Sequence, residues 1–147
     1  MINIMVVEDS NFMRINLEEK LSEISEFSVG NVVRNGLEAL KVIRNPEEQV
    51  DVVLLDLLMP EMDGIETLEH IMSERPIPTV IFTGVTKDQD NGEFLYDALE
   101  LGALGIVQKP TGHGNMDLDH VMEDLENKIK AAHSAQEKLE VFLNYNK

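Results

Sequence analysis

Five short runs of apolar residues recur along this chain, each followed by a stretch with helical spacing. That alternation constrains the fold more than anything else in the sequence. The runs are INIMVV (2–7), SVGNVV (28–33), VDVVLLDLL (50–58), PTVIFTG (78–84) and ALGIVQKP (103–110). They read as nearly solid apolar segments rather than as alternating ones, which predicts strands covered on both faces of a sheet. Strands that alternate with helices over short connections imply parallel pairing and right-handed crossovers. The expected fold is therefore a doubly wound α/β domain, and 147 residues suit one such domain.

The stretches between the runs carry helix punctuation. Ser10 offers an N-cap, and Phe12, Met13, Ile15, Leu17, Leu21 and Ile24 follow at roughly helical spacing. GLEALKVIRNP (36–46) predicts a helix with Leu37, Leu40 and Ile43 inward, stopped at Asn45-Pro46. GIETLEHIMSERP (64–76) predicts a third, with Ile65, Leu68, Ile71 and Met72 on one face. A polar loop over 85–92 leads to EFLYDALELG (93–102), which Gly102 ends.

Charge and composition exclude several classes. The net charge of −16, from 28 acids against 12 bases, speaks against direct nucleic-acid binding, which needs a basic surface. Cysteine is absent, so disulfides and thiolate chemistry are excluded. No apolar run approaches the roughly 20 residues that span a bilayer, so membrane insertion is not expected. The start MINIMVVEDS reads as a strand, without the basic region and cleavage site of a signal peptide, and a cytoplasmic protein is expected.

In doubly wound sheets ligands sit beyond the carboxyl ends of the strands. Strand one ends in Glu8-Asp9, strand three carries Asp56 near its end, strand four ends in Thr83-Gly84 and strand five in Lys109-Pro110. Each has a plain structural reading: a helix cap, a buried Asp–Lys pair, a strand-end hydroxyl, a surface turn. Together they form a chemical set. Three carboxylates would repel one another unless a hard cation such as Mg²⁺ joined them. Lys109 adds a compact positive charge, Thr83 a hydroxyl donor, and Gly84 backbone room for a tetrahedral anion. Such a set suits phosphoryl transfer, with Asp56 as the nucleophile that forms an aspartyl-phosphate.

The segments VVEDS (6–10), LLDLLMPEMDGIETL (54–68), VIFTG (80–84) and GALGIVQKP (102–110) resemble the receiver domain of two-component response regulators. The resemblance implies a flavodoxin-like (βα)5 fold with strand order 2-1-3-4-5. It implies that Asp56 takes a phosphoryl group from a sensor histidine kinase's phosphohistidine. Mg²⁺ would be held by Asp9, Asp56 and the backbone carbonyl of Leu58, with Glu8 acting mainly through water. Thr83 and Lys109 would bind the phosphoryl oxygens, and Pro60 and Gly64 would shape the turn into the third helix. One position departs from the family pattern: Ile106 stands where an aromatic residue usually serves the switch. Isoleucine is stiff at χ1 and has no ring to swing, so the output is expected to run through the 84–92 loop and the helix after it.

The later part, ERPIPTVIFTGVTKDQ and LYDALELGALGIVQKPTG, is similar to the receiver half of chemotaxis methylesterases. No Gly-rich serine-nucleophile stretch follows before Lys147, so a signalling switch that acts only on its own aspartate is expected, not an esterase. The alternative is the regulatory receiver part of a larger methylesterase-type or other multidomain protein. A phosphatase on a similar sheet would want an acid two residues after the nucleophile, where Leu58 stands. A flavin carrier would want a phosphate-cradling loop where EDSNFMR stands.

Residues 116–144 contain neither proline nor glycine and predict a helix of about 40 Å, twice what covers the sheet. The expected division is a receiver domain over 1–129 and a helical extension or linker over 130–147. The extension would pair with a second copy or lead to a downstream protein or output domain.

Overall fold

A computed structural model describes residues 1–59, 61–84, 92–110 and 118–145. Five strands and five helices alternate strictly in the order β1 (Ile2–Val7), α1 (Asn11–Ser22), β2 (Phe27–Val33), α2 (Gly36–Ile43), β3 (Val52–Leu55), α3 (Gly64–Glu74), β4 (Thr79–Thr83), α4 (Glu93–Glu100), β5 (Gly105–Gln108) and α5 (Asp119–Tyr145). The strands form one sheet in the order β2-β1-β3-β4-β5, and every pairing is parallel. This is the flavodoxin-like arrangement expected.

Strand side chains leave the sheet alternately to its two faces, so two cores form. Ile4, Val6, Val52, Leu54, Val80, Phe82 and Val107 pack under α1 and α5, against Met13, Leu17, Leu21, Leu125 and Ile129. Met5, Val7, Val53, Leu55 and Ile81 pack under the other three helices, against Leu40, Ile43, Leu68, Ile71 and Ala98. Burying one such leucine is worth about 2 kcal/mol. Caps fix where the helices begin. Ser10 Oγ accepts from the Met13 amide, Asn35 from Glu38 and Asp63 from Glu66.

Several local expectations need correction. Leu37 points outward at 48% exposure, because Ala39, Leu40 and Ile43 form the inner face of α2. Phe12 and Ile15 are likewise exposed, and α1 is anchored by Met13, Leu17 and Leu21. β3 ends at Leu55, three residues short of the apolar run, so Asp56 lies just beyond the strand. Leu57 is nonetheless fully buried, which is why the run looked longer than the strand. Pro60, the loop over 85–91 and Met116 lie outside the described residues. Gly92, in the left-handed region at φ 73°, caps α4. Among the described residues no helix is long and apolar enough to cross a membrane.

Candidate functional site

The backbone sets up the site before any side chain acts. Glu8, Asp56 and Lys109 each stand one residue past the end of a strand. The amide of each still bonds to the last carbonyl of the neighbouring strand: Glu8 to Val33 at 3.0 Å, Asp56 to Val7 at 3.1 Å and Lys109 to Thr83 at 2.8 Å. The sheet ladder therefore carries three charged residues in fixed register along one edge.

Their side chains meet. Lys109 Nζ donates to Asp56 Oδ2 at 2.8 Å and is ion-paired with Glu8 Oε1. Asp56 Oδ1 accepts from the Leu58 amide at 3.2 Å, and Glu8 Oε2 from the Ser10 amide at 3.1 Å. Glu8, Asp56 and Thr83 are buried, whereas Asp9 is exposed. Ligand oxygens of Glu8, Asp9 and Asp56 all lie within 4.8 Å of one another. The loop after β3 closes tightly beyond Asp56, since Gly64 donates to the Leu57 carbonyl at 2.9 Å. An open cleft of about 320 Å³ adjoins, lined by Asp9, Leu57, Leu58, Met59, Asp63 and Phe94.

Three further expected residues have different surroundings. A side chain at Gly84 would meet nothing within 4 Å among the described residues, so that glycine leaves room on their side. Ile106 is half-buried, pairs with Ile81 and joins the core layer that holds Phe94, Leu95 and Leu101. Pro110, half-buried, follows Lys109. Sequence reasoning missed Arg14, whose guanidinium bonds to the Glu8 and Asp9 carbonyls. A base five residues after the acidic pair, in a chain with only 12 bases, was the available signal.

Electrostatics follow from burial and like charge. Burial raises the Glu8 carboxyl from its ordinary 4.5 to about 7, and repulsion by Asp56 adds to it, while Lys109 and the Ser10 amide oppose. Burial pulls the Lys109 ammonium down, but Asp56 and Glu8 outweigh it and leave it above its usual value. Glu8 Oε1 is buried and takes no aligned hydrogen bond. An all-oxygen donor set with three acids to one base, and one carboxylate open to water, fits a hard divalent cation.

The raised Glu8 value has a stability consequence. Between about pH 4.5 and 7 the folded chain holds a proton that the unfolded chain has lost. The contribution is therefore complete below 4.5 and lost as pH rises through 7, up to about 3 kcal/mol. Denaturant melts of the metal-free protein at about pH 5 and about pH 8 should show this loss, and Glu8→Gln should flatten it. Equal slopes in both proteins would refute the assignment.

Comparison with known proteins agrees with the geometry. The family model described as the response regulator receiver domain matches residues 4–121. A protein-glutamate methylesterase/protein-glutamine glutaminase of Syntrophomonas wolfei is 37% identical over 139 residues, covering 95% of this chain and 38% of that protein. One from Bacillus licheniformis is 40% identical over 132 residues, covering 90% and 36%. The chain thus spans little more than a third of the length of these relatives. The response regulator domain of Thermotoga maritima CheB superposes with a TM-score of 0.81 at 29% identity, over 91% of this chain and 97% of that one.

Proposed function

Because the chain belongs to the response regulator receiver domain family, we propose that it is a phosphorylation switch whose acceptor is Asp56. An Asp56 carboxylate oxygen attacks the phosphorus of a sensor kinase's phosphohistidine, the P–N bond breaks, and the imidazole leaves with its electron pair. The observation that carries this reading is the Lys109 ammonium, bonded at 2.8 Å to the carboxylate that would be phosphorylated. From there Lys109 would bind the phosphoryl oxygens, and Thr83, at the end of the neighbouring strand, would supply a hydroxyl to them. Asp9, Asp56 and the Leu58 carbonyl would hold Mg²⁺, with Glu8 through water. When bound, that ion would neutralise charge on the transferred group.

The relatives support a narrower reading, in which this receiver, residues 1–129, regulates a methylesterase-type output domain in chemotaxis, with 130–147 as the link. Its placement would be cytoplasmic, its phosphodonor a histidine kinase. Readout would pass from the site through α4, since Ile106 offers no ring and borders the same core cluster as Phe94 and Leu95. The projecting end of α5 would meet an output domain or a second copy. Light scattering of the chain cut after Lys130 tests the copy, and an unchanged mass removes it.

The central test is direct. Incubated with Mg²⁺ and a small phosphodonor, the protein should gain one phosphate by intact mass, and excess chelator should prevent it. A protein that never gains phosphate refutes the proposal.

A further inference from the structure

The turn between β1 and α1 presents two of the three carboxylates, so its rigidity decides where they aim. Mutual repulsion favours opening it. Ser10 stiffens one side, donating its amide to Glu8 Oε2 and receiving the Met13 amide on its hydroxyl at 3.2 Å. The two peptide carbonyls of the acidic pair are held by Arg14. Nη1 donates to the Glu8 carbonyl at 2.8 Å and to the Asp9 carbonyl at 2.9 Å, and Nη2 donates to Asn11 Oδ1 at 3.1 Å. One guanidinium nitrogen carries two N–H groups, so it can bridge consecutive carbonyls. The Arg14 amide bonds to the Ser10 carbonyl at 2.9 Å, which seats the residue one turn above the cap and folds its side chain back over the turn.

Fixing both carbonyls fixes the backbone torsions between them. It thereby fixes the directions in which the Glu8 and Asp9 side chains leave. We propose that Arg14 is the positioning residue of the cation site. It clamps the acidic turn before an ion arrives, and its charge offsets part of the carboxylate repulsion. The inference rests on the cation site of the proposed function and assigns a group behind it. A lysine could bring the charge but not the rigid fork. Partners behind metal ligands commonly change affinity by 10–100-fold.

Isothermal titration of MgCl₂ into the wild type, Arg14→Lys and Arg14→Gln tests it, beside thermal unfolding of each without the ion. Arg14→Gln should raise the Mg²⁺ Kd about tenfold or more, with Arg14→Lys between. Amide exchange at residues 9–11 should quicken in Arg14→Lys although the charge is kept, which assigns the effect to the lost fork and not to a lost charge. If Arg14→Gln fails to fold, Arg14→Lys carries the test: a wild-type Kd with unchanged exchange overturns the clamp. An unaltered Kd in all three also overturns it. A wild type that binds no Mg²⁺ overturns the cation site itself, a distinguishable failure.

Discussion

Asp56→Asn should take up no phosphate while remaining folded. Asparagine has the same shape and can still accept from the Leu58 amide, now bonded at 3.2 Å to Asp56 Oδ1. It lacks the anionic oxygen that must form the new P–O bond. The substitution also removes one of three crowded carboxylates, and with it the second cause of the raised Glu8 value. Lys109 keeps its ion pair with Glu8. The metal-free variant should therefore be at least as stable as the wild type, because like-charge repulsion is relieved. Intact mass after incubation with Mg²⁺ and a phosphodonor reads the first effect, and a denaturant melt the second. Equal phosphate gain in the two proteins would exclude Asp56 as the acceptor.

Gly64→Ala should damage both stability and phosphorylation. A Cβ there would overlap the Asp56 carbonyl oxygen and the Leu57 Cα, which are backbone atoms and cannot swing aside. The Gly64 amide also bonds to the Leu57 carbonyl at 2.9 Å, so the loop has no slack. Overpacking of this kind costs about 3 kcal/mol. Relief requires that the segment carrying Asp56 shift, and a misplaced nucleophile reacts slowly. Phosphate uptake should fall at least about tenfold at equal folded concentration. Gly84→Ala is the control for stability: it adds the same methyl group where nothing lies within 4 Å among the described residues, so its melt should match the wild type. Matching melts for Gly64→Ala and Gly84→Ala would refute the steric argument.

The strands were legible because a doubly covered sheet leaves apolar runs. Their ends were less so. Burial, not backbone pairing, makes a residue apolar, and Leu57 is as buried beyond β3 as Leu55 is within it. The same limit misdirected Leu37, since an apolar residue beside an inward stripe need not belong to it. Glu8, Asp56 and Lys109 were legible because each breaks or ends an apolar run, and they meet at the sheet's carboxyl edge. Arg14 and the tightness at Gly64 were not legible. The first depends on how far a flexible side chain reaches back, the second on which backbone another turn approaches.

The length of α5 has a mechanical consequence. Its last fully buried residue is Ala132, and 13 residues, 132 to 145, carry it onward by roughly 20 Å. Near its root, Gly105 of β5 lies against the Lys128 stem, and β5 leads directly to Lys109 at its other end. A tilt of about ten degrees at that root would sweep the tip through roughly 3.5 Å. The helix thus joins the strand that leads to the ammonium with a point well beyond the sheet's other edge, long enough to turn a small rotation at its root into a displacement of several ångströms at its tip.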